Sequence, residues 1–475
     1  MHPARERPPS VKPSVLARSS LLATLLAVFL AAGLAACGGD PNPPPTPDLS
    51  SDLREAVGVG GVLDHARRLQ AIADEHGGNR AAGTPGYDAS ADYVADRLRE
   101  AGYEVRVQSF ELPDYAVLRD ADLDISGTSV PATDFVPMDG SGSGEVEARL
   151  RPVDARGATS GCETRDFEGL ARGDVALLRR GTCAFRTKAE NAEAAGASAA
   201  LVFNAGEDGG EVLRGSLGGP GIGIPVVGTS GSFGESLLDR EETQEVRVSV
   251  AEGGGDRTTN VIAQTPKGDA ENTVMVGAHL DSVPQGPGIN DNGSGSATVL
   301  EVALQLARLD AEPRNRVRFA FWGAEEVGLV GSRHYVDGLG EEEIGEISAY
   351  LNLDMTASPN FVTSVYEGPV EVEDVFDSYF GAREIEFETN SALDGRSDHG
   401  PFQEEGIPTG GLFSGAGGTK TEEQKEAFGG EAGAPFDACY HRSCDDMGNL
   451  NRESLGRFAD AAAHATAVLA ESEGS

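Results

Sequence analysis

The 475-residue sequence predicts an α/β fold: a mainly parallel, mixed sheet flanked by helices and interrupted by an inserted β-rich block. Three observations predict it. From about residue 258 to 470, apolar strands alternate with helices at the spacing of βαβ units. From about 118 to 250 the texture changes to short strands and many glycines. From about 51 to 117 there are two helical periodicities and one alternating strand, a block expected to pack onto the later sheet. A chain of this length holds two domains or more, each with its own core.

The elements follow in order. Val62–Glu75 reads as a helix, as does Tyr87–Ala101, where Tyr93, Val94 and Leu98 fall at helical spacing before the C-cap Gly102. Tyr103–Val107 alternates as a strand. In the middle block Asp174–Cys183 reads as a strand and turn, Phe185–Ala195 as a helix and Ala199–Asn204 as a buried strand. In the last block the strands are Thr273–Ala278, Val317–Trp322 and Ala349–Leu353, and the helices are Gly295–Leu309 and Gly328–Leu339. Pro408–Phe413 is a further strand, weakened by its two glycines, and Leu455–Ala470 closes the domain as a helix.

The first 50 residues stand outside this fold. Arg5, Arg7, Lys12 and Arg18 precede an apolar run, Leu21–Ala36, too short for an ordinary membrane span. The run ends in Leu34-Ala35-Ala36-Cys37-Gly38, which looks like a bacterial lipoprotein signal cleaved before a lipidated Cys37. The expected organisation is a signal peptide over 1–36, a Pro-rich tether over 37–50, a catalytic domain from 51–117 and 251–475, and the inserted block over 118–250. An exported, membrane-anchored cell-surface protein follows. Its four remaining cysteines, Cys162, Cys183, Cys439 and Cys444, allow three pairings, and local spacing favours Cys162–Cys183 and Cys439–Cys444. The net charge is −39, and about −42 once residues 1–36 with their four basic side chains and Glu6 are set aside. That excess of acid excludes nucleic acid as a natural partner.

Chemistry concentrates at the strand ends, where open α/β sheets build their sites. The first strand of the last block ends at His279 and leads to Asp291, the second ends in Trp322-Gly323-Ala324-Glu325-Glu326, and the third in Asn352-Leu353-Asp354. Mixed His and carboxylate ligands suit zinc or a similar divalent ion. Two ions share a bridging carboxylate and require about five protein ligands. His279, Asp291, Glu326 and Asp354 supply four, and the second His is either His399 or His441. A small Cys439–Cys444 loop would hold His441 rigidly, which favours it.

Two resemblances extend this reading. The middle block resembles a protease-associated (PA) domain through Arg180–Phe185 with Lys188, then Gly196-Ala197 and Leu201–Asn204. The last block resembles the secreted bacterial di-zinc leucyl aminopeptidases, relatives of glutamate carboxypeptidase II and the transferrin receptor. The strings that carry this are Ala278–Ser282, Asn290–Gly295, Trp322–Glu326, Asn352–Met355, Gly395–His399 and Cys439–His441. The resemblance implies a zinc-exopeptidase fold with two Zn2+ per chain. His279 and Asp354 would bind one ion, Glu326 and His441 the other, and Asp291 would bridge them, leaving His399 a non-ligand. It further implies Glu325 as general base acting with a metal-bridging hydroxide, Asp281 as the carboxylate that orients His279, and Tyr440 as a donor to the oxyanion. Arg396 and Phe413 would lie near the substrate, Phe413 lining an apolar pocket for the first side chain. Some relatives hold calcium near the final helix. Asp460 fits such a site, but Gly456 offers no carboxylate one turn earlier, which argues against calcium here.

The expectation is therefore a monomeric aminopeptidase that removes apolar N-terminal residues from peptides, with the PA domain flanking its entrance. Two rivals stand beside it. A carboxypeptidase or other hydrolase on the same scaffold would need basic residues for a terminal carboxylate, and mainly Arg396 and Arg442 are available. A non-catalytic binding protein would not need the full ligand set and Glu325. Other polar residues read as structural: His65, His334 and His464 as packing or surface side chains, Asp445–Asp446 as a helix start, and Glu341–Glu343 as a solvated loop.

Overall fold

A computed structural model describes residues 48–473 except 114–120, 132–133, 139, 158, 206–211, 214, 216, 218–220, 241–243, 251–256 and 391–394. Cys37, the signal segment and most of the tether lie outside the described residues; the expected boundary at 117/118 falls within an undescribed segment, and that at 250/251 where one begins.

One eight-stranded sheet runs, in spatial order, Glu104–Glu111, Arg257–Gln264, Asn315–Trp322, Asp269–His279, Ile347–Leu353, Thr409–Phe413, Ser364–Tyr366 and Glu388–Asn390. Its four central strands are parallel to one another, and the neighbours on either side join antiparallel. The central strands are apolar on both faces, as a sheet covered on both sides requires. Val274, Val276 and Ala278 point into one core with Phe319, Phe321, Leu351 and the flanking helices. Met275, Ala320, Trp322 and Tyr350 point the other way, against Tyr335 and Phe402.

The N-terminal block packs onto this sheet. Its helix Pro85–Glu100 starts with Pro85 in the first turn and Thr84 accepting from the Tyr87 amide, a start suited to proline, which has no N–H to lose. The buried Val94 and Leu98 of that helix join the large core. The closing helix Arg452–Glu471 is capped by Asn451, which accepts from the Glu453 and Ser454 amides. Among the described residues no helix is long and apolar enough to cross a membrane.

A second eight-stranded sheet lies wholly within residues 121–250 and has apolar clusters of its own. Val175–Arg179, Ala199–Phe203 and Val226–Thr229 lie side by side in it and run parallel, and Phe185–Ala194 is its expected helix. Both disulfides favoured by spacing are present, Cys162–Cys183 and Cys439–Cys444.

Several elements depart from the expectation. Glu341–Glu343 do not form a loop; they open a short exposed helix, Glu341–Gly345, where acids complement the N-terminal dipole. Leu49 and Ser50 belong not to a tether but to the helix Leu49–Ala56, capped by Asp48. The strand Arg257–Gln264 and the helix Val370–Gly381 had no counterpart in the sequence reading.

Candidate metal centre

Three of the four central strands deliver the expected ligands from their C-terminal ends to one edge of the sheet. His279 ends the first and pairs in register with Trp322, the end of its neighbour, which leads directly to Glu325 and Glu326. Asp354 follows the third strand, Ile347–Leu353. Asp291 arrives on a buried turn, Ile289–Ser294, entered through Gly288 at φ 60. Glycine is required there, because a Cβ would lie 2.4 Å from both the Asp291 carbonyl and the Ser282 Cβ. His441 sits at φ 58 inside the Cys439–Cys444 loop. Ala324 and Met355, beside Glu325 and Asp354, also have positive φ. Left-handed backbone at non-glycine residues is held only where the surroundings over-determine it.

The side chains converge. The Asp291 oxygens divide between two groups: Oδ1 lies 3.3 Å from His279 Nε2, and Oδ2 lies 3.1 Å from His441 Nε2. On the first side, His279 Nε2 is 3.5 Å from Asp354 Oδ1. On the second, His441 Nε2 is 3.1 Å from Glu326 Oε2. Donor atoms of His279, Glu325 and Asp354 come within 4.8 Å of one another, as do those of His279, Asp291 and Glu326. The donor set fits divalent cations of the zinc type, with His nitrogen and carboxylate oxygen facing one space. Among the described residues Glu326 Oε1 is buried without a hydrogen-bond partner, as an oxygen turned toward a cation would be.

Electrostatics point the same way. Burial pushes Glu326 up to about 7, and Asp291 adds to it against the pull of His441. Burial disfavours a charged His441, yet Glu326 and Asp291 outweigh it and raise that ring to about 11. The acids crowd one another until positive charge is drawn to whatever can carry it. Glu325 is raised well above the carboxylate range, first by burial and also by Asp354, Asp398 and Glu326.

The supporting residues differ in part from the expected arrangement. The His279 Nδ1 meets the Asp281 main-chain carbonyl at 3.1 Å, while the Asp281 carboxylate is 3.6 Å away, too long for a hydrogen bond. That carboxylate instead accepts from the amides of Glu325 (3.2 Å) and Glu326 (3.3 Å), tying the first strand end to the second. A carbonyl at Nδ1 suffices to hold the proton there and leave Nε2 as the donor atom. Tyr440 stacks on His441, with centroids 3.9 Å apart. His399 is buried beside Tyr366 at 4.7 Å, outside the cluster. Phe413 ends its strand half-buried at the same sheet edge, and Arg396 is exposed.

Residues to which the sequence reading gave no part in the site support the expected ligands. Ser397 Oγ donates to Asp354 Oδ2 at 2.7 Å and accepts from Asn352 Nδ2. Asn352 in turn accepts from Tyr350, which accepts from the Trp322 indole, so a buried chain of hydrogen bonds ends on Asp354. Asp446 caps a short turn, Met447–Asn449, as a helix start would. Asp445 does not. It is buried and accepts from the Asn290 and Asp291 amides at 2.8 and 3.0 Å, because those two N–H groups have no partner within their own turn. His65, His334 and His464 lie elsewhere: His65 between Tyr93 and Glu301, His334 on Phe110, and His464 against Ser50. Both Asp460 oxygens are taken by Arg54, and one also by Tyr379.

Residues 260–466 match the model of peptidase family M28, and residues 146–237 that of the PA domain. The chain is similar to an aminopeptidase of Pseudomonas aeruginosa, at 42% identity over 91% of this chain and 85% of that protein. It is also similar to the probable lipoprotein aminopeptidase LpqL of Mycobacterium tuberculosis, at 38% identity over 91% and 89%. Among solved structures it resembles BSAP, a zinc aminopeptidase from Bacillus subtilis, with a TM-score of 0.73, 29% identity, and coverage of 86% of this chain and 94% of that one.

Proposed function

Since the chain belongs to peptidase family M28 and carries a PA domain, we propose that it is a zinc-dependent aminopeptidase that removes the N-terminal residue from peptides. The observation that carries the proposal is the division of the Asp291 carboxylate between the His279–Asp354 side and the His441–Glu326 side. On this reading His279 and Asp354 hold one zinc, Glu326 and His441 a second, and Asp291 lies between. Zinc bound there supplies Lewis acidity toward the scissile carbonyl and makes water nucleophilic at neutral pH.

The remaining steps belong to the chain's own side chains. Glu325 faces the same space without being needed as a ligand. It takes the proton of the attacking water and passes it to the leaving amine. Burial and neighbouring acids raise its proton affinity, which suits a carboxylate that must hold a proton between two steps. The Tyr440 hydroxyl donates to the oxyanion that develops on the substrate. The carboxylates at the strand ends receive the free α-amine, which selects exopeptidase action. Phe413 offers an apolar contact to the first side chain, so apolar N-terminal residues are favoured. The PA domain, with boundaries at about 118 and 250, limits access to short substrates.

Export and anchoring through a lipidated Cys37 complete the proposal. They are supported by the Leu34–Cys37 string and by the lipoprotein name of the mycobacterial relative. Radiolabelled palmitate should enter the wild-type chain in a bacterial host and be lost in Cys37→Ala; equal labelling would refute the anchor.

The activity is tested with peptides blocked at either end. Carboxy-blocked peptides with a free α-amine should be cleaved and amino-blocked ones should not. Cleavage of the amino-blocked set alone would replace the aminopeptidase reading with a carboxypeptidase one.

A further inference from the structure

The chain between His279 and Asp291 must leave one proposed ligand and return to the next at a fixed separation. Three carbonyls of this segment, at Leu280, Pro287 and Gly288, point into the protein, where each needs a donor. All three receive it from Arg80. Its Nε donates to Pro287 O at 2.9 Å, its Nη2 to Gly288 O at 2.7 Å, and its Nη1 to Leu280 O. The Arg80 main chain joins in: its amide donates to Ser282 Oγ at 2.9 Å, and its carbonyl accepts from the Ser282 amide at 3.3 Å. Arg80 thus meets both ends of the segment, from a block about 200 residues earlier in the chain.

Such a placement is costly unless something requires it. Arg80 is fully buried, and its side chain is among the largest in the interior. Burial lowers its pKa to about 10, while Asp281, Asp445 and Glu326 offset part of that. It therefore stays charged, and its hydrogen bonds are spent on main-chain carbonyls. A planar fork with donors at fixed angles can hold three carbonyls at fixed positions; a lysine ammonium cannot. On the far side of the same turn, Asp445 takes the Asn290 and Asp291 amides. The Asp291 turn is clamped from two directions, by a cation through the Pro287 and Gly288 carbonyls that lead into it and by an anion through its amides.

We infer that Arg80 is a positioning residue of the metal centre: it binds the end of the His279 strand to the Asp291 turn and so sets the spacing of the ligands they carry. The inference rests on the reading of His279 and Asp291 as ligands. It extends that reading to a residue in the N-terminal block, outside the sequence strings that form the centre.

The test uses the full chain stripped with a chelator and titrated with Co2+, whose visible absorption reports ligand geometry directly. Wild type, R80K, S282A and L98A are compared, with melting curves of the metal-free proteins. Leu98 is buried in the core of the same block and takes no part in the hydrogen bonds of Arg80 and Asp445, so L98A measures what destabilisation of that core does. R80K should bind Co2+ at least about tenfold more weakly, the range for supports one step behind a metal ligand, with an altered spectrum. S282A should shift affinity in the same direction by a smaller factor. L98A should melt earlier yet keep the wild-type spectrum and affinity. R80K and S282A matching wild type, or L98A matching R80K, would overturn the role of Arg80 alone. Should R80K not fold, an unchanged S282A would overturn it equally. Failure of the wild-type chain to take up Co2+ would overturn the ligand assignment and the inference together.

Discussion

Glu325 and Glu326 are neighbours in sequence, yet the proposed mechanism gives them different work. Glu326 contacts His441 and Glu325 faces His279 and Asp354, and the proposal assigns metal holding to the first and proton transfer to the second. Glu325→Gln keeps size and packing but cannot accept a proton. It should retain zinc and lose roughly 10²- to 10⁴-fold in kcat; zinc content and initial rates check this, and a full rate would remove Glu325 from its role. Ser397→Ala removes the donor to Asp354 and one of two acceptors of the Asn352 amide, which keeps the Tyr366 hydroxyl at 3.3 Å. A lost hydrogen bond to a charged group costs about 1.5–3 kcal/mol. Zinc affinity should drop by roughly 10- to 100-fold, measurable by competition with a chromogenic chelator. At this scale the proposed ligands were legible as candidates because each ends a strand or sits in a short polar string. Arg80, Ser397 and Asp445 were not, because their roles depend on which buried polar groups the fold brings beside them. No spacing in the sequence encodes that.

At the scale of elements, the loop closed by Cys439 and Cys444 holds His441 at positive φ against the Asp291 turn. A loop of sequence separation 5 constrains the unfolded chain by about 2 kcal/mol. Replacing both cysteines with serine should therefore lower the melting temperature modestly while weakening zinc binding more than stability. Parallel calorimetry and metal titration would show this, and equal losses in the two would contradict it. The long strands and helices were legible from periodicity, because strands covered on both faces read as continuous apolar runs. Arg257–Gln264 escaped notice because its first half, Arg-Thr-Thr-Asn, is polar; only Val261, Ile262 and Ala263 carry the buried signal. In Val370–Gly381, acidic residues interleave with the apolar face, and nothing before Pro369 marks a start. Asp281 shows a finer limit. The sequence pairs it with His279 by proximity, but the fold turns its carboxylate toward the Glu325 and Glu326 amides and leaves the ring to a carbonyl.

For the whole molecule, two sheets with separate cores share one chain, and the catalytic sheet is completed by strands before and after the inserted block. The net charge of −39 makes the folded surface repel itself. Screening with salt relieves that repulsion over distances beyond about 10 Å at 0.1 M. The melting temperature should rise between low salt and 0.5 M sodium chloride; a fall would mean that the surface ion pairs outweigh the net charge. Fold class and the α/β order of the last block were legible at this scale because they rest on repeated local patterns.

Everything proposed for the centre depends on zinc held by His279, Asp291, Glu326, Asp354 and His441 driving the hydrolysis. The most direct measurement is the rate of Leu-p-nitroanilide hydrolysis as zinc is returned to chelator-stripped protein. The account predicts no activity without metal and a rise that levels off near about two equivalents per chain. A rate that survives complete removal of metal, or protein that holds zinc tightly and leaves the substrate intact, would contradict it.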